Sequence, residues 1–338
     1  MDSRTRVLTA LRGGTPDRAP VVEWAINSGV IKALGCTDNF DLVERFGLDG
    51  ITIFPNENKS WIDHDTYVDE WGVTKRRADE EVSMPIAEPL ASAADLLHYV
   101  PPDPLAAHHF CTLDQAVKHF GGSKAVFFQC RDVFSIPRYL RGTAQILEDI
   151  LLDPSLIADL VQLSLAYNIA QAGEALRRDA DAILLSDDYA YNTGPMFSPA
   201  VFDRCFREGL GKIVDAVHHA GGLVVKHSDG NLMPLLDAMV STGIDALDPI
   251  DPLGGMSVAG VRARYPDLPL KGGVPLSDLS SSTPSKVAWE AARCLKESGG
   301  RGYILSSSNS ISGAVKPENF LAMLAALGTA PPSAHREL

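Results

Sequence analysis

The chain has 338 residues, 45% of them hydrophobic and 22% charged, with a net charge of −13 and a pI near 5.1. That composition builds a full globular core, and its acidic balance argues against nucleic acid or an anionic membrane surface as partner, since both select clustered Lys and Arg. No run of about 18 apolar residues is present to span a bilayer. Five scattered cysteines without a CxxC pattern read as thiols of a reducing compartment.

The first residues, MDSRTRVLTALRGG, form an amphipathic helical pattern without the apolar core of a signal peptide, which predicts a cytoplasmic protein. Short apolar runs then alternate with helical periodicity, the pattern of βα units on a parallel sheet. A first strand is predicted over 19–23 and a second over 50–54, after a helix that Gly47 stops. Residues 58–120 break the rhythm with Trp61, Trp71, a strand at 72–75 and a proline-rich run. An insertion of that length points to a lid or subdomain. Strands follow over 125–129, 181–185, 222–226, 244–247, 268–271 and 302–305. Between them lie helices over 136–150, 154–177, 198–219, 232–241 and 283–296, and a last helix starts near 316. Eight strands with intervening helices predict a (β/α)8 TIM barrel, one domain over 1–327 with a flexible tail over 328–338. No GxGxxG follows the first strand, which weakens a dinucleotide reading.

In such barrels the chemistry gathers where strands end. The predicted ends supply Glu23, Asn56, Asp132, Asp187, Asp188, His227, Asp229, Asp248, Gly273, Ser306 and Asn309. His227 closes a strand, and Asp229 projects to the same side if the strand continues. That imidazole either ligates a metal or relays a proton, or is a satisfied histidine bonding a neighbouring loop. Asp187 and Asp188 point to opposite sides of an extended backbone, so at most one of them faces the mouth. Glu23 is a site acid or half of an internal ion pair. For Asp132 and Asp248 a structural capping role is favoured. Ser306 to Ser308 lack a GxSxG elbow.

Short motifs run along most of the chain: Arg6-Val7-Leu8, Pro16-Asp17-Arg18, Asp69-Glu70-Trp71-Gly72-Val73, Asp187-Asp188, His227-Ser228-Asp229-Gly230-Asn231, Gly272-Gly273-Val274, Gly302-Tyr303-Ile304-Leu305 and Pro317-Glu318-Asn319. In their order and spacing they resemble the uroporphyrinogen decarboxylase superfamily, in particular its corrinoid-dependent methyltransferases. The resemblance implies a (β/α)8 barrel. It departs from the decarboxylases, which carry an arginine-rich segment after strand one and an aspartate after strand two. Here those positions read Trp24 to Ser28, without arginine, and Asn56. It departs also from the coenzyme M methyltransferases, whose zinc is held by His-x-Cys and a later Cys: His227 keeps the first position, Asp229 takes the second, and the third falls near Ser306 to Ser308. Enzymes that demethylate small methyl ethers share the His-Ser-Asp-Gly run.

The resemblance therefore implies methyl transfer between a small methylated substrate and a corrinoid (cobalamin) carried on a partner protein. His227, Asp188 and Glu23 are its expected catalytic residues, and Asn56, Asp229, Asn309, Trp24 and Asp132 its substrate contacts. Zinc, if bound, falls to His227 and Glu23. A homodimer is compatible with this reading. A decarboxylase or lyase acting on a smaller acid without corrinoid, and a barrel that binds a small molecule without turning it over, are the alternatives.

Overall fold

Three aspartates frame the parallel strands. Asp49, Asp181 and Asp245 each stand one residue before a strand, respectively Gly50–Ile53, Ala182–Ser186 and Ala246–Ile250. Each donates its backbone N–H to the carbonyl of Val21, Val126 or Val224, at 2.8, 2.8 and 2.9 Å. Each side chain then accepts from the N–H of that same valine, at 2.9, 3.0 and 2.7 Å. A short acid at this position satisfies a strand's first donor before the ladder begins, where an orphaned buried amide is costly.

The computed structural model describes residues 1–77 and 83–328. Seven short parallel strands alternate with helices, the mixed α/β, TIM-barrel-like pattern that the sequence predicts. No helix among the described residues is long and apolar enough to cross a membrane. The tail expected over 328–338 lies outside the described residues apart from Gly328. Contacts divide the chain into two units.

The first unit comprises 1–52, 120–125 and 246–328. Its strands Ala246–Ile250, Leu270–Gly272 and Tyr303–Ile304 run parallel, with Leu270 opposite both Leu247 and Tyr303. Helices Val258–Arg264, Pro284–Glu297 and Pro317–Ala325 follow the strands. The N-terminal helix Ser3–Leu11 is capped by Asp2. It is anchored through Arg6, which bonds Asp49 at 2.6 Å and Asp17 at 2.6 Å, while Arg18 bonds Asp49 at 2.8 Å.

Residues 19–23 do not form the strand that their apolar run predicts. They keep a single parallel bridge, Val21 to Leu305. Proline at position 20 has no N–H to give, and Val21 spends both its donor and its acceptor on Asp49.

The second unit comprises 53–119 and 126–245. Strands Ala125–Cys130, Ala182–Ser186 and Leu223–His227 run side by side, with Phe127 and Leu223 both opposite Ala182 and His227 opposite Ser186. Their continuous apolar faces are buried almost throughout, as strands covered on both sides require. The helix expected over 136–150 is two, Ser135–Arg141 and Thr143–Leu152. Gly142 breaks it at φ +80°, with Glu88 so close that a Cβ would lie 2.6 Å from its carboxylate. Asp153 caps the long helix Pro154–Arg177. Within 58–120, strands Ser60–Trp61, Thr66–Val68, Thr74–Arg76 and Met84–Ala87 form an antiparallel sheet in that order, followed by helix Cys111–Phe120.

Candidate functional site

Two strands of the second unit deliver the site. Ala182–Ser186 runs into Asp187 and Asp188, and its neighbour Leu223–His227 ends in the imidazole and runs on into Ser228 and Asp229. The backbone N–H of Tyr189 donates to Ser228 Oγ at 3.0 Å, and that of Asp229 to Asp188 Oδ1 at 3.2 Å. These cross-links bring Asp188, His227 and Asp229 together, with one ligand atom from each lying within 4.8 Å of the others. His227 is buried, and its Nε2 stands 3.6 Å from Asp229 Oδ1. Asp188 and Asp229 are half-buried. Gly230 makes the exit turn at φ +86°. A Cβ there would meet the Tyr191 carbonyl oxygen at 2.6 Å, so the position demands glycine.

Behind this cluster lies a fully buried ionic layer. Lys226 Nζ bonds Asp132 Oδ2 at 2.9 Å and donates to the carbonyls of Asp187 and His227 at 2.8 Å each. Tyr189 donates its hydroxyl to Asp132 at 2.7 Å. Asp187 points the other way from Asp188 and accepts the N–H groups of Phe134 and Ser135 at 2.7 Å each, together with the Ser135 hydroxyl. Burial pushes up the Asp132 carboxyl, but Lys226 and the surrounding hydrogen bonds outweigh it and hold the group below its usual range. Asp187 goes the opposite way: burial and the neighbouring Asp132 charge raise it well above the usual range. Asp132 is therefore an interior ion-pair member, and Lys226, which the sequence reading passed over, is its counter-charge.

The other expected residues each have hydrogen-bond partners or surroundings of their own. Glu23 belongs to the first unit, buried, and accepts from Ser306 Oγ at 2.9 Å and Ser307 Oγ at 2.6 Å. Burial raises its pKa, against the opposing charge of Lys271. Lys271 itself bonds Asp248 at 2.7 Å in an equally buried pair. Asn309 accepts from the N–H of Ser310 at 2.6 Å, and Trp24 is half-buried in the same unit. Asn56 is an exposed tie in the second unit. Its N–H donates to the His109 carbonyl and its side chain accepts from the Thr112 N–H, at 3.1 Å each.

A cleft opens in the second unit, lined by Glu57, Trp71, His109, Gln129, Arg131 and Tyr167 among others. Its walls come from strand ends, from the 58–120 insertion and from helices Ser135–Arg141 and Pro154–Arg177. Arg131 is its principal cation. Burial opposes that charge, but Tyr139, Glu57, Asp187 and Asp188 together overcome it and raise its pKa. Arg131 is absent from the residues expected from sequence, which take the acid beside it, Asp132, as the strand-end group. The signal was present, since Arg131 is the first residue after the Ala125–Cys130 strand.

Residues 39–329 match the family model described as Uroporphyrinogen decarboxylase (URO-D). Among solved structures, a methyltransferase from Methanosarcina mazei is 17% identical, with a TM-score of 0.77 over 97% of this chain and 98% of that one. A B12-independent methionine synthase from Shewanella sp. W3-18-1, in complex with selenomethionine, is 9% identical with a TM-score of 0.52, over 91% and 97% of the two chains. At these identities the likeness is one of fold. No protein of curated function matches the sequence.

Proposed function

The chain belongs to the uroporphyrinogen decarboxylase family, and from that premise we propose that it moves a methyl group between a small methylated substrate, such as a methyl ether, and a corrinoid carried on a partner protein. The observation that carries this reading is the convergence of Asp188, His227 and Asp229 at the ends of two adjacent strands. An ether oxygen leaves poorly as an alkoxide or phenoxide unless it is protonated or bound to a cation. A buried imidazole flanked by two carboxylates can do either. Asp229 Oδ1 stands 3.6 Å from His227 Nε2 as a second donor beside it, and Asp188, accepting from the Asp229 backbone N–H, fixes the turn that places it.

One nitrogen and two carboxylate donors fit a zinc-class ion without thiolates. Such an ion would supply Lewis acidity to the leaving oxygen, with Asp188, His227 and Asp229 holding it. Arg131, which lines the cleft, provides a fixed positive charge for an anionic group of the substrate. The lack of arginine in 24–28 favours methyl transfer over decarboxylation of a polycarboxylate substrate. Seven large apolar side chains are exposed among the described residues of the insertion, Trp61, Ile62, Met84, Ile86, Leu97, Val100 and Leu105, and they support its use as the face that meets a partner.

The test supplies cob(I)alamin with a panel of methyl ethers and amines and follows the corrinoid spectrum. Methylation by the parent chain that falls by at least about 100-fold in His227→Ala is expected. No spectral change across the panel, together with carbon dioxide release from small acids in cobalamin-free buffer, would replace this reading with a lyase.

A further inference from the structure

A second set of ligand-type groups lies outside the cluster described above, within the 58–120 insertion. Glu70 sits in the turn that links strands Thr66–Val68 and Thr74–Arg76, and His108 and His109 occupy the short 3-10 segment Ala107–Phe110. The two Glu70 carboxylate oxygens are divided between the imidazoles: Oε1 lies 2.5 Å from His108 Nε2, and Oε2 lies 2.6 Å from His109 Nε2. The Asn58 side-chain amide stands 3.1 Å from the same His108 nitrogen, and the Asn58 N–H donates to Glu70 Oε1 at 2.7 Å. The two rings pack edge to face at 4.3 Å.

Protons satisfy this arrangement poorly. His108 Nε2 faces a carboxylate oxygen and a side-chain amide together, and one ring proton serves only one of them. His109 is 1% exposed and holds its Nε2 against the second carboxylate oxygen, so that one ligand-type atom from each of the three side chains lies within 4.8 Å of the others. A divalent cation between the three side chains uses both Nε2 lone pairs and the carboxylate at once, and the Asn58 amide, turned to present its oxygen, adds a fourth donor.

We propose that Glu70, His108 and His109 form a site for a divalent transition metal of the zinc class, distinct from the Asp188–His227–Asp229 cluster. Two imidazoles and a carboxylate are the donor set that such ions select over magnesium or calcium. The ion clips residues 58, 70 and 108–109, which are far apart in sequence, and so fixes the wall that Trp71 and His109 give to the cleft. Its role is to hold that wall in place. The site depends in no way on the methyl-transfer reading.

Metal-free protein titrated with zinc chloride, followed by calorimetry and by elemental analysis after desalting, tests the proposal. We expect a bound zinc that survives His227→Ala and is lost, by at least 10-fold in affinity, in Glu70→Gln and in half-exposed His108→Asn. Cobalt(II) in place of zinc should give visible bands that the same two variants abolish, and zinc should raise the Tm of the parent but not of these variants. Circular dichroism confirms that each variant is folded. If folded Glu70→Gln and His108→Asn bind zinc with the parent's stoichiometry and affinity, the proposal is overturned. It is overturned equally if the parent binds none, or if its only zinc is the one that His227→Ala removes.

Discussion

Lys226 carries more of the second unit than its single charge suggests. It is fully buried, compensates Asp132 and donates to two backbone carbonyls that flank the site. Breaking a buried ion pair by removing one partner costs about 3–5 kcal/mol, because the survivor's charge stays uncompensated. Lys226→Met is therefore expected to lower unfolding stability by roughly that amount in a urea titration. A loss below about 1 kcal/mol would mean that Asp132 finds another partner. The two aspartates beside it impose opposite pH dependences. Asp132, held low, contributes stability above its unfolded pKa and loses it as pH falls through the folded value. Asp187, pushed up, makes the folded state bind the extra proton, so stability falls as pH rises from about 4 toward its folded pKa. Asp187→Asn, which keeps an oxygen for the Phe134 and Ser135 amides, should flatten that second slope. Urea midpoints measured from pH 4 to 8 would show it, and an unchanged slope would place the titration on another group.

The turn after the Leu223–His227 strand binds structure to chemistry at the scale of an element. Gly230 passes the Tyr191 carbonyl too closely for any side chain and has a positive φ as well. Gly230→Ala is expected to cost more than about 1 kcal/mol and to move Asp229 away from His227, so that methylation falls along with Tm. Activity retained at a lowered Tm would remove Asp229 from the proposed chemistry. This element was legible beforehand. A strand closed by histidine and followed by Ser-Asp-Gly stands out in a single sequence, and so do the Asp153 and Ser198 caps. The first strand was not, because its hydrogen bonds go to the Asp49 side chain instead of a ladder, and periodicity counts side chains only. The three framing aspartates could have been found, since Leu-Asp-Gly50, Ala-Asp-Ala182 and Ile-Asp-Ala246 repeat one pattern: acid, then small residue, then strand. Glu70, His108 and His109 stayed hidden because their convergence depends on the fold of the insertion, which brings together segments nearly forty residues apart.

At the scale of the whole chain, acidic character and insertion shape what partner can be served. The cluster proposed for the chemistry lies in the second unit, where the insertion turns Leu97 and Val100 to solvent, at 83% and 82% exposure. Side chains so exposed add nothing to the core, so changing them leaves folding nearly untouched, within about 0.5 kcal/mol. On a face that meets a corrinoid protein they would exclude water at the contact, where truncation of a buried apolar anchor costs about 1–2 kcal/mol. Leu97→Asp with Val100→Asp is therefore expected to raise KM for the carrier protein by at least about 10-fold, with the Tm and the rate on free cobalamin unchanged. That split separates docking from catalysis, because a damaged site would lower both rates together. If both rates and the carrier KM stay at parent values, the insertion is not the face that the partner meets. The corrinoid reading would then rest on the Asp188, His227 and Asp229 cluster alone.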